Sequence, residues 1–334
     1  QDKIVEEYRD LLARITDFLD ILTRPERITE IISTELNAIR DQYGDNRRSE
    51  IVVHAEDLSM EDLIAPEDVV VTFSHAGYVK AQPLADYRAQ RRGGRGKQAA
   101  TTREDDFIDR LFIANTHDTM LCFSSRGRLY WLKVYQVPQG TRTSRGKPIV
   151  NLFPLAEEEK ITAVLPIDAY VDNRYVFMAT AMGTVKKTPL SAFSNPREKG
   201  ILAVELDDGD RLIGVAITDG EHDVMLFSDA GKAVRFEEND VRPMGRQARG
   251  VRGMMLDEGQ RVVSMLVAGS EDLTVLTATG NGFGKRTAIS EYTRHGRGSK
   301  GMIAIQTTER NGALVGAVLV DDRDEIMLIS TGAS

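Results

Sequence analysis

His222-Asp223-Val224-Met225-Leu226-Phe227 is a short, largely apolar run, and Gly231 follows it at turn distance. The residue types fit a strand leading into a tight turn and a second strand. Outward from this stretch the same arrangement recurs. It appears from Val69 to Phe73 with Gly77, and from Asp118 to Phe123 with Gly127. It appears again from Arg174 to Met178 with Gly183, and from Asp272 to Leu276 with Gly282. The repeats begin near 69, 118, 174, 222 and 272, with a sixth starting at Asp324 and cut off after Ile329. A strand-only repeat of about fifty residues predicts an all-β, propeller-like array with five complete repeats.

A second landmark keeps the same phase. Nineteen residues separate Gly77 from Gly96, Gly127 from Gly146, Gly231 from Gly250 and Gly282 from Gly301. Each of these later glycines has basic neighbours: Arg95 and Lys97, Arg145 and Lys147, Arg249 and Arg252, Arg297 and Lys300. The third unit is shorter and carries Lys199-Gly200. Every complete unit is therefore expected to place a basic-glycine element on the same part of its blade. Aromatic residues recur after the hairpin glycine as well, at Tyr87, Tyr135, Phe193 and Tyr292. At strand ends these read as packing between blades rather than platforms for bases.

Residues 1–44 follow a different period. Ile4, Tyr8, Leu11, Ile15, Phe18 and Leu22 alternate spacings of four and three, a heptad seam. Thr23-Arg24-Pro25-Glu26 predicts a restart, with threonine capping and proline in the first turn. Ile28, Ile32, Leu36, Ile39 and Tyr43 continue the stripe, and Gly44 supplies the stop. Two such helices need a partner for their seams, either each other or a mate upstream. The chain opens in mid-pattern and stops abruptly after Thr331-Gly332-Ala333-Ser334, as a piece of a longer protein does. The expected division is a helical segment at 1–44 and a β domain at 45–334.

The chain has a net charge of -8, yet Arg88 to Arg103 carries six basic side chains and no acidic one. At its centre is Gln90-Arg91-Arg92-Gly93-Gly94-Arg95-Gly96-Lys97. The glycines permit close backbone approach, and arginine forks match pairs of phosphate oxygens. On composition alone a solvated basic loop accounts for the island equally well. Residues 90–96 are similar at every position to the box of the DNA gyrase A family. That resemblance extends from the first helix to the last strand.

The resemblance implies a β-pinwheel, six-bladed in the family, in which strands swap between neighbouring blades, preceded by part of a coiled-coil arm. It implies wrapping of duplex DNA without sequence preference, in support of ATP-dependent negative supercoiling by a bacterial type IIA topoisomerase. Implied partners are duplex DNA, a second copy of the gyrase A protein, and the gyrase B protein. Arg91, Arg92 and Arg95 would hold phosphate at the box, flanked by Gln90, Gly93, Gly94, Gly96 and Lys97. Around the rim, Arg145, Lys147, Lys199, Arg249, Arg252, Arg297 and Lys300 would join them. The family's catalytic tyrosine lies upstream of the arm and nothing here matches it; Tyr8 and Tyr43 sit on helical stripes. This stretch is therefore expected not to be an enzyme alone. Two other readings remain: the C-terminal domain of the topoisomerase IV relative of gyrase A, and a propeller scaffold for acidic protein partners.

Other chemistry has little support. His54, His75, His117, His222 and His295 show no metal-ligand spacing, and Cys122 lies in an apolar run as a core residue. Gly280 to Arg286 lacks the pattern of a phosphate loop and is expected to join two strands. No cofactor is expected in this fragment; ATP and magnesium would enter the holoenzyme through the gyrase B protein. One cysteine, and no run of eighteen apolar residues, fit a cytoplasmic protein without a membrane span. The acidic runs Glu157-Glu158-Glu159, Asp207-Asp208 and Asp321-Asp322 are expected to be solvated turns. Their charge would repel DNA from the surface outside the rim.

Overall fold

The structure, a computed structural model, describes residues 2–45, 48–49, 60–84, 106–141, 144–324 and 326. The chain forms two compact units, Gln1–Leu58 and Ser59–Ser334. The first contains α1 (Asp2–Thr23) and α2 (Pro25–Tyr43). No residue of either helix is buried, so the whole apolar seam stands exposed. The joint differs from the expected cap. Arg24, extended at φ -121°, holds the N-cap position without a side-chain bond, and Pro25 begins the helix. The Thr23 hydroxyl instead donates back to the Leu19 carbonyl at 2.7 Å. Arg27 staples the joint, 3.4 Å from Asp17 and 3.8 Å from Asp20. Gly44 ends α2 in an extended rather than left-handed conformation. A side chain there would meet the Arg40 carbonyl at 2.3 Å.

The second unit is a five-bladed array of antiparallel sheets. Blade 1 contributes β1 (Asp68–Ser74), β2 (Tyr78–Pro83) and β3 (Ile108–Asn115). Blade 2 contributes β4 (Thr119–Ser124), β5 (Arg128–Lys133), a two-residue β6 (Lys147–Pro148) and β7 (Ile161–Ile167). Blade 3 repeats this with β8 (Tyr175–Thr180), β9 (Thr184–Pro189), β10 (Ile201–Leu202) and β11 (Leu212–Thr218). Blade 4 follows with β12 (Asp223–Ser228), β13 (Lys232–Glu237), β14 (Val251–Arg252) and β15 (Val262–Ala268). Blade 5 has β16 (Thr274–Thr279), β17 (Gly284–Ala288), β18 (Met302–Ile303) and β19 (Leu314–Val320).

The short strands do not stay in their own sheets. Sheet orders are β3-β1-β2-β6, β10-β5-β4-β7, β11-β8-β9-β14 and β15-β12-β13-β18. Each two-residue strand thus completes the outer edge of the blade before it. The fifth sheet, β17-β16-β19, has three strands among the described residues. Most of the sixth repeat lies outside those residues.

Apolar runs such as Met120-Leu121-Cys122-Phe123 are continuous because both sheet faces are covered. Successive side chains point to opposite faces. Met120 and Cys122 enter the cluster shared with Val71 and Val79 of blade 1. Leu121 and Phe123 enter the one shared with Val176 and Met178 of blade 3. The core therefore sits between blades. Phe193 meets Phe123 edge-on at 6.1 Å, and Tyr292 meets Phe227 at 6.0 Å, so these two recurrent aromatics pack across blade boundaries as expected. Tyr87 lies outside the described residues. Cys122 is fully buried, and burial pushes its thiol well above the ordinary range.

The hairpin glycines Gly77, Gly127, Gly183, Gly231 and Gly282 all have positive φ, between 73° and 83°. Gly282 turns β16 into β17, as expected for that loop. The later glycines have a different task. Gly146, Gly200, Gly250 and Gly301 have φ of 85°, 67°, 108° and 73°. A Cβ there would lie 2.3, 2.8, 2.5 and 2.3 Å from the carbonyl oxygens of Val79, Leu129, Val185 and Ala233. Those residues belong to the second strand of the preceding blade. Glycine is required for both the backbone angle and the close approach.

Replacing Gly250 by alanine should cost at least about 1–3 kcal/mol, from left-handed backbone strain before the clash is counted. Gly245 has nothing within 4 Å of a built Cβ and no positive φ, so alanine there should be near neutral. Urea denaturation of the two variants checks this, and equal midpoints would contradict the docking role of Gly250.

Candidate nucleic-acid interface

The in-phase glycines bring the basic residues to one kind of place. Opposite Val79 and Tyr78 of β2 lie Lys147 and Pro148 of β6. Blade 2 receives Ile201 and Leu202 opposite Leu129 and Arg128. Blade 3 receives Val251 and Arg252 opposite Val185 and Thr184, and blade 4 receives Met302 and Ile303 opposite Ala233 and Lys232. Three residues beyond each docked glycine, an amide donates to the hairpin glycine of the preceding blade. These are Ile149 to Gly77 (2.8 Å), Ala203 to Gly127 (2.8 Å), Gly253 to Gly183 (2.8 Å) and Ala304 to Gly231 (2.9 Å). The basic-glycine element of each of these units thus stands on the outer edge of its predecessor, not on its own blade.

Arg145, Lys147, Lys199, Arg249, Arg252, Arg297 and Lys300 lie on or beside these docked segments, and their surroundings differ. Arg145 lies over the Tyr78 ring at 5.3 Å. Arg249 pairs with Asp207 at 3.1 Å and Lys300 with Asp257 at 2.7 Å. Arg297 donates to the carbonyls of Asp240 (3.0 Å) and Arg252 (3.2 Å). Lys147, Lys199 and Arg252 have no acidic partner among the described residues. Asp207 corrects the reading of the acidic runs, because it lies beside a rim cation rather than on a surface away from it. Arg197 and Arg246 stand on the same loops, and the repeat pattern does not single them out. Their closeness to Gly200 and Gly250 is the available signal. Gln90, Arg91, Arg92, Gly93, Gly94, Arg95, Gly96 and Lys97 lie outside the described residues.

Two loops are held from beneath by buried lysines. Lys80 and Lys186 occupy the same place, three residues after the hairpin glycine, and are 2% and 1% exposed. The Lys80 ammonium donates to the carbonyls of Thr141 (3.1 Å) and Ser144 (2.9 Å), beneath Arg145. Lys186 donates to the Ala203 carbonyl at 2.7 Å and to that of Arg246. A buried ammonium has to be matched by acceptors, and loop carbonyls supply them.

A second polar cluster ties blade 3 to blade 4. Lys187 and Glu238, both 1% exposed, pair at 3.1 Å. Glu238 also accepts the amides of Gly220 (2.8 Å) and His222 (3.0 Å). Asp219, His222 and Glu238 place one ligand atom each within 4.8 Å of one another. Spacing gives no hint of this constellation, because Glu238 enters from the far side of a hairpin. Its carboxylate already faces an ammonium and two amides. Those donors offset much of its charge.

Burial, and secondarily the Arg246 charge, lowers Lys186 from 10.5 to about 8. The folded chain therefore holds this proton less tightly than the unfolded chain. Between about pH 8 and 10.5 the unfolded state binds more protons, so the stability contributed by Lys186 rises with pH, and below pH 8 the full cost of burying the charge is present. The Tm of the protein relative to Lys186→Met should rise across that window; a difference independent of pH would contradict the assignment.

Comparison with known proteins agrees with this geometry. The family model described as DNA gyrase C-terminal domain, beta-propeller, matches residues 68–115, 118–168, 174–219, 222–268 and 274–321, one match per blade. The DNA gyrase A protein of Salmonella typhimurium is 58% identical over 329 residues, covering 98% of this chain and 37% of the relative. That of Pseudomonas aeruginosa is 48% identical over 372 residues, covering 98% and 40%. The chain thus spans well under half the length of these relatives. Among solved structures, the C-terminal domain of DNA topoisomerase IV superposes with a TM-score of 0.68 at 30% identity, covering 78% of this chain and 79% of that one. A DNA gyrase A C-terminal domain superposes at 0.61 with 27% identity, covering 77% and 84%. The repeat, the exchanged strands and the matches to each blade place the chain in the DNA gyrase C-terminal domain, beta-propeller, family.

Proposed function

We propose that this chain binds duplex DNA along the outer blade edges and bends it, as the wrapping part of a gyrase holoenzyme. One observation carries the reading: basic residues recur on successive docked segments at one structural phase, which makes a stepped track of positive charge. Arginine, lysine and backbone groups hold phosphate without reading bases. The described residues offer this edge no helix suited to a major groove. Bending 20–30 base pairs by 40–90° costs about 1–6 kcal/mol, and contacts on several blades together offset it.

The box at Gln90–Lys97 is the densest cationic element, with Arg91, Arg92 and Arg95 as its phosphate ligands. The holoenzyme would contain the gyrase B protein, which brings ATP and magnesium, and a second copy of the gyrase A protein. It would act in the bacterial cytoplasm, with strand cleavage carried outside this stretch. α1 and α2 would be the returning limb of a coiled-coil arm, with the mate upstream. A second reading, the wrapping domain of topoisomerase IV, draws support from the 0.68 superposition. The complete Gln-Arg-Arg-Gly-Gly-Arg-Gly string favours gyrase.

The test is topological. The domain is bound to nicked plasmid in EDTA without ATP, and the nick is ligated and the DNA deproteinised. The linking number should shift, and affinity should be far higher for duplex long enough to circle the track. If about six phosphates are neutralised, affinity should fall roughly 10³-fold between 50 and 200 mM salt. A scaffold for acidic proteins would show neither the shift nor the dependence on length. Loss of binding in EDTA would show that a cation is required.

Replacing Arg91, Arg92 and Arg95 with alanine should lower affinity modestly and nearly abolish the linking-number shift. In the full enzyme it should remove supercoiling and spare relaxation. Replacing Arg145 and Lys147 should weaken binding with wrapping retained. The reverse pattern would remove the box from the mechanism.

A further inference from the structure

The rim cations are in two electrostatic states, and at Lys199, Arg249 and Lys300 the repeat decides which. The residue before docked Gly250 is Arg249, and seven residues after the preceding docked glycine, Gly200, is Asp207. Their side chains pair at 3.1 Å, with Glu205 3.5 Å from the same guanidinium. One blade on, the residue before Gly301 is Lys300, and seven after Gly250 is Asp257. These pair at 2.7 Å, and Lys232 lies 3.5 Å from the other carboxylate oxygen. The Lys300 hydrogen bond holds the Asp257 carboxyl below its ordinary range. The equivalent position before Lys199 is Phe153, which is apolar and buried. Lys199 therefore has no carboxylate at this place.

We propose that Asp207 and Asp257 act as built-in substitutes for phosphate, pairing with Arg249 and Lys300 until DNA displaces them. This rests on the DNA-binding reading above. It divides the rim cations into an open set, Lys147, Lys199 and Arg252, with no acidic partner among the described residues, and a self-neutralised set, Arg249 and Lys300. The pairs are exposed, with 58–66% of the Arg249, Lys300 and Asp207 side chains accessible, so a phosphate can reach them. Exposed pairs are weak and exchangeable. Contact begins on the open cations, and the high local concentration of phosphate then drives exchange at the paired ones.

The exchange has its own ionic signature. When an open lysine meets a phosphate, a counterion leaves the DNA. When Arg249 leaves Asp207 for a phosphate, the freed carboxylate gathers a cation from solution, which cancels part of that release. The paired cations therefore add affinity with less dependence on salt than the open ones.

The experiment uses the whole chain and a duplex long enough to span the blades, with affinity measured over a salt series. The variant is Glu205→Gln, Asp207→Asn and Asp257→Asn. A control, Asp168→Asn, Asp172→Asn and Glu291→Gln, makes the same change in charge at exposed sites near the opposite ends of the strands. The rim variant should bind more tightly than the control, and its plot of log affinity against log salt should be steeper than the control's, by at most about 0.9 for each of Arg249 and Lys300. In a double-mutant cycle, Arg249→Gln should matter little in the parent and cost about tenfold in the Asp207→Asn background. Equal slopes for rim and control variants, or an additive cycle, would overturn the proposal while leaving DNA binding intact. A parent that does not bind duplex DNA at all would overturn the DNA reading first.

Discussion

An unpaired sheet edge is the constraint on which this fold turns. Each outer strand exposes a row of amides and carbonyls that has to be paired, covered or blunted. Here the next repeat supplies the pairing, through two residues and one glycine. The same two residues carry or adjoin the positive charge. Closing the blade and positioning the cations are therefore one event, with Lys147 set by its pairing opposite Val79 and Arg252 by its pairing opposite Thr184. The rim's geometry comes from main-chain hydrogen bonds. Its chemistry can vary from blade to blade without disturbing the sheets.

Charge in this molecule is placed at two depths. Buried ammonium groups at Lys80, Lys186 and Lys187 satisfy carbonyls and a carboxylate inside the array. Exposed cations at Lys147 and Lys199 face solvent on the edge. The first kind fixes loops in place and the second is available to a partner. Neither could do the other's work: an ammonium buried on carbonyls is out of a partner's reach, and a solvated one holds no loop. The acidic total of the chain includes carboxylates such as Asp207 and Asp257 that lie among the cations, so net charge is a poor guide to local field.

Much of the architecture is legible in the sequence. The hairpin glycines can be read because five of them fall in one phase, and each has the left-handed backbone that phase requires. The apolar runs between them mark the strands, and the nineteen-residue interval locates the docked glycines. The exchange of strands is legible only through family resemblance, because two residues such as Val251 and Arg252 carry no periodic pattern. The spacing marks Gly250 as special, but as a point of access for phosphate rather than as a contact on Val185. The cap at Arg24 falls one residue after the expected threonine, since Thr23 has an alternative acceptor in Leu19. Asp207 reads as part of an acidic turn because its partner is forty-two residues away in sequence. Distances between units are what a one-dimensional pattern leaves open.

The exchanged strands also give the array a mechanical polarity. Among the described residues, blades 1–4 borrow their last strand from the repeat that follows, and repeats 2–5 lend one to the blade before. Detaching the final repeat exposes the outer strand of its predecessor, whereas detaching the first leaves the second sheet with all four strands. Damage or tension entering from the C-terminal side can therefore peel the blades in sequence, each opening the next. The same force at the N-terminal side meets sheets that are already closed. A ladder of borrowed strands resists pulling in one direction more than in the other.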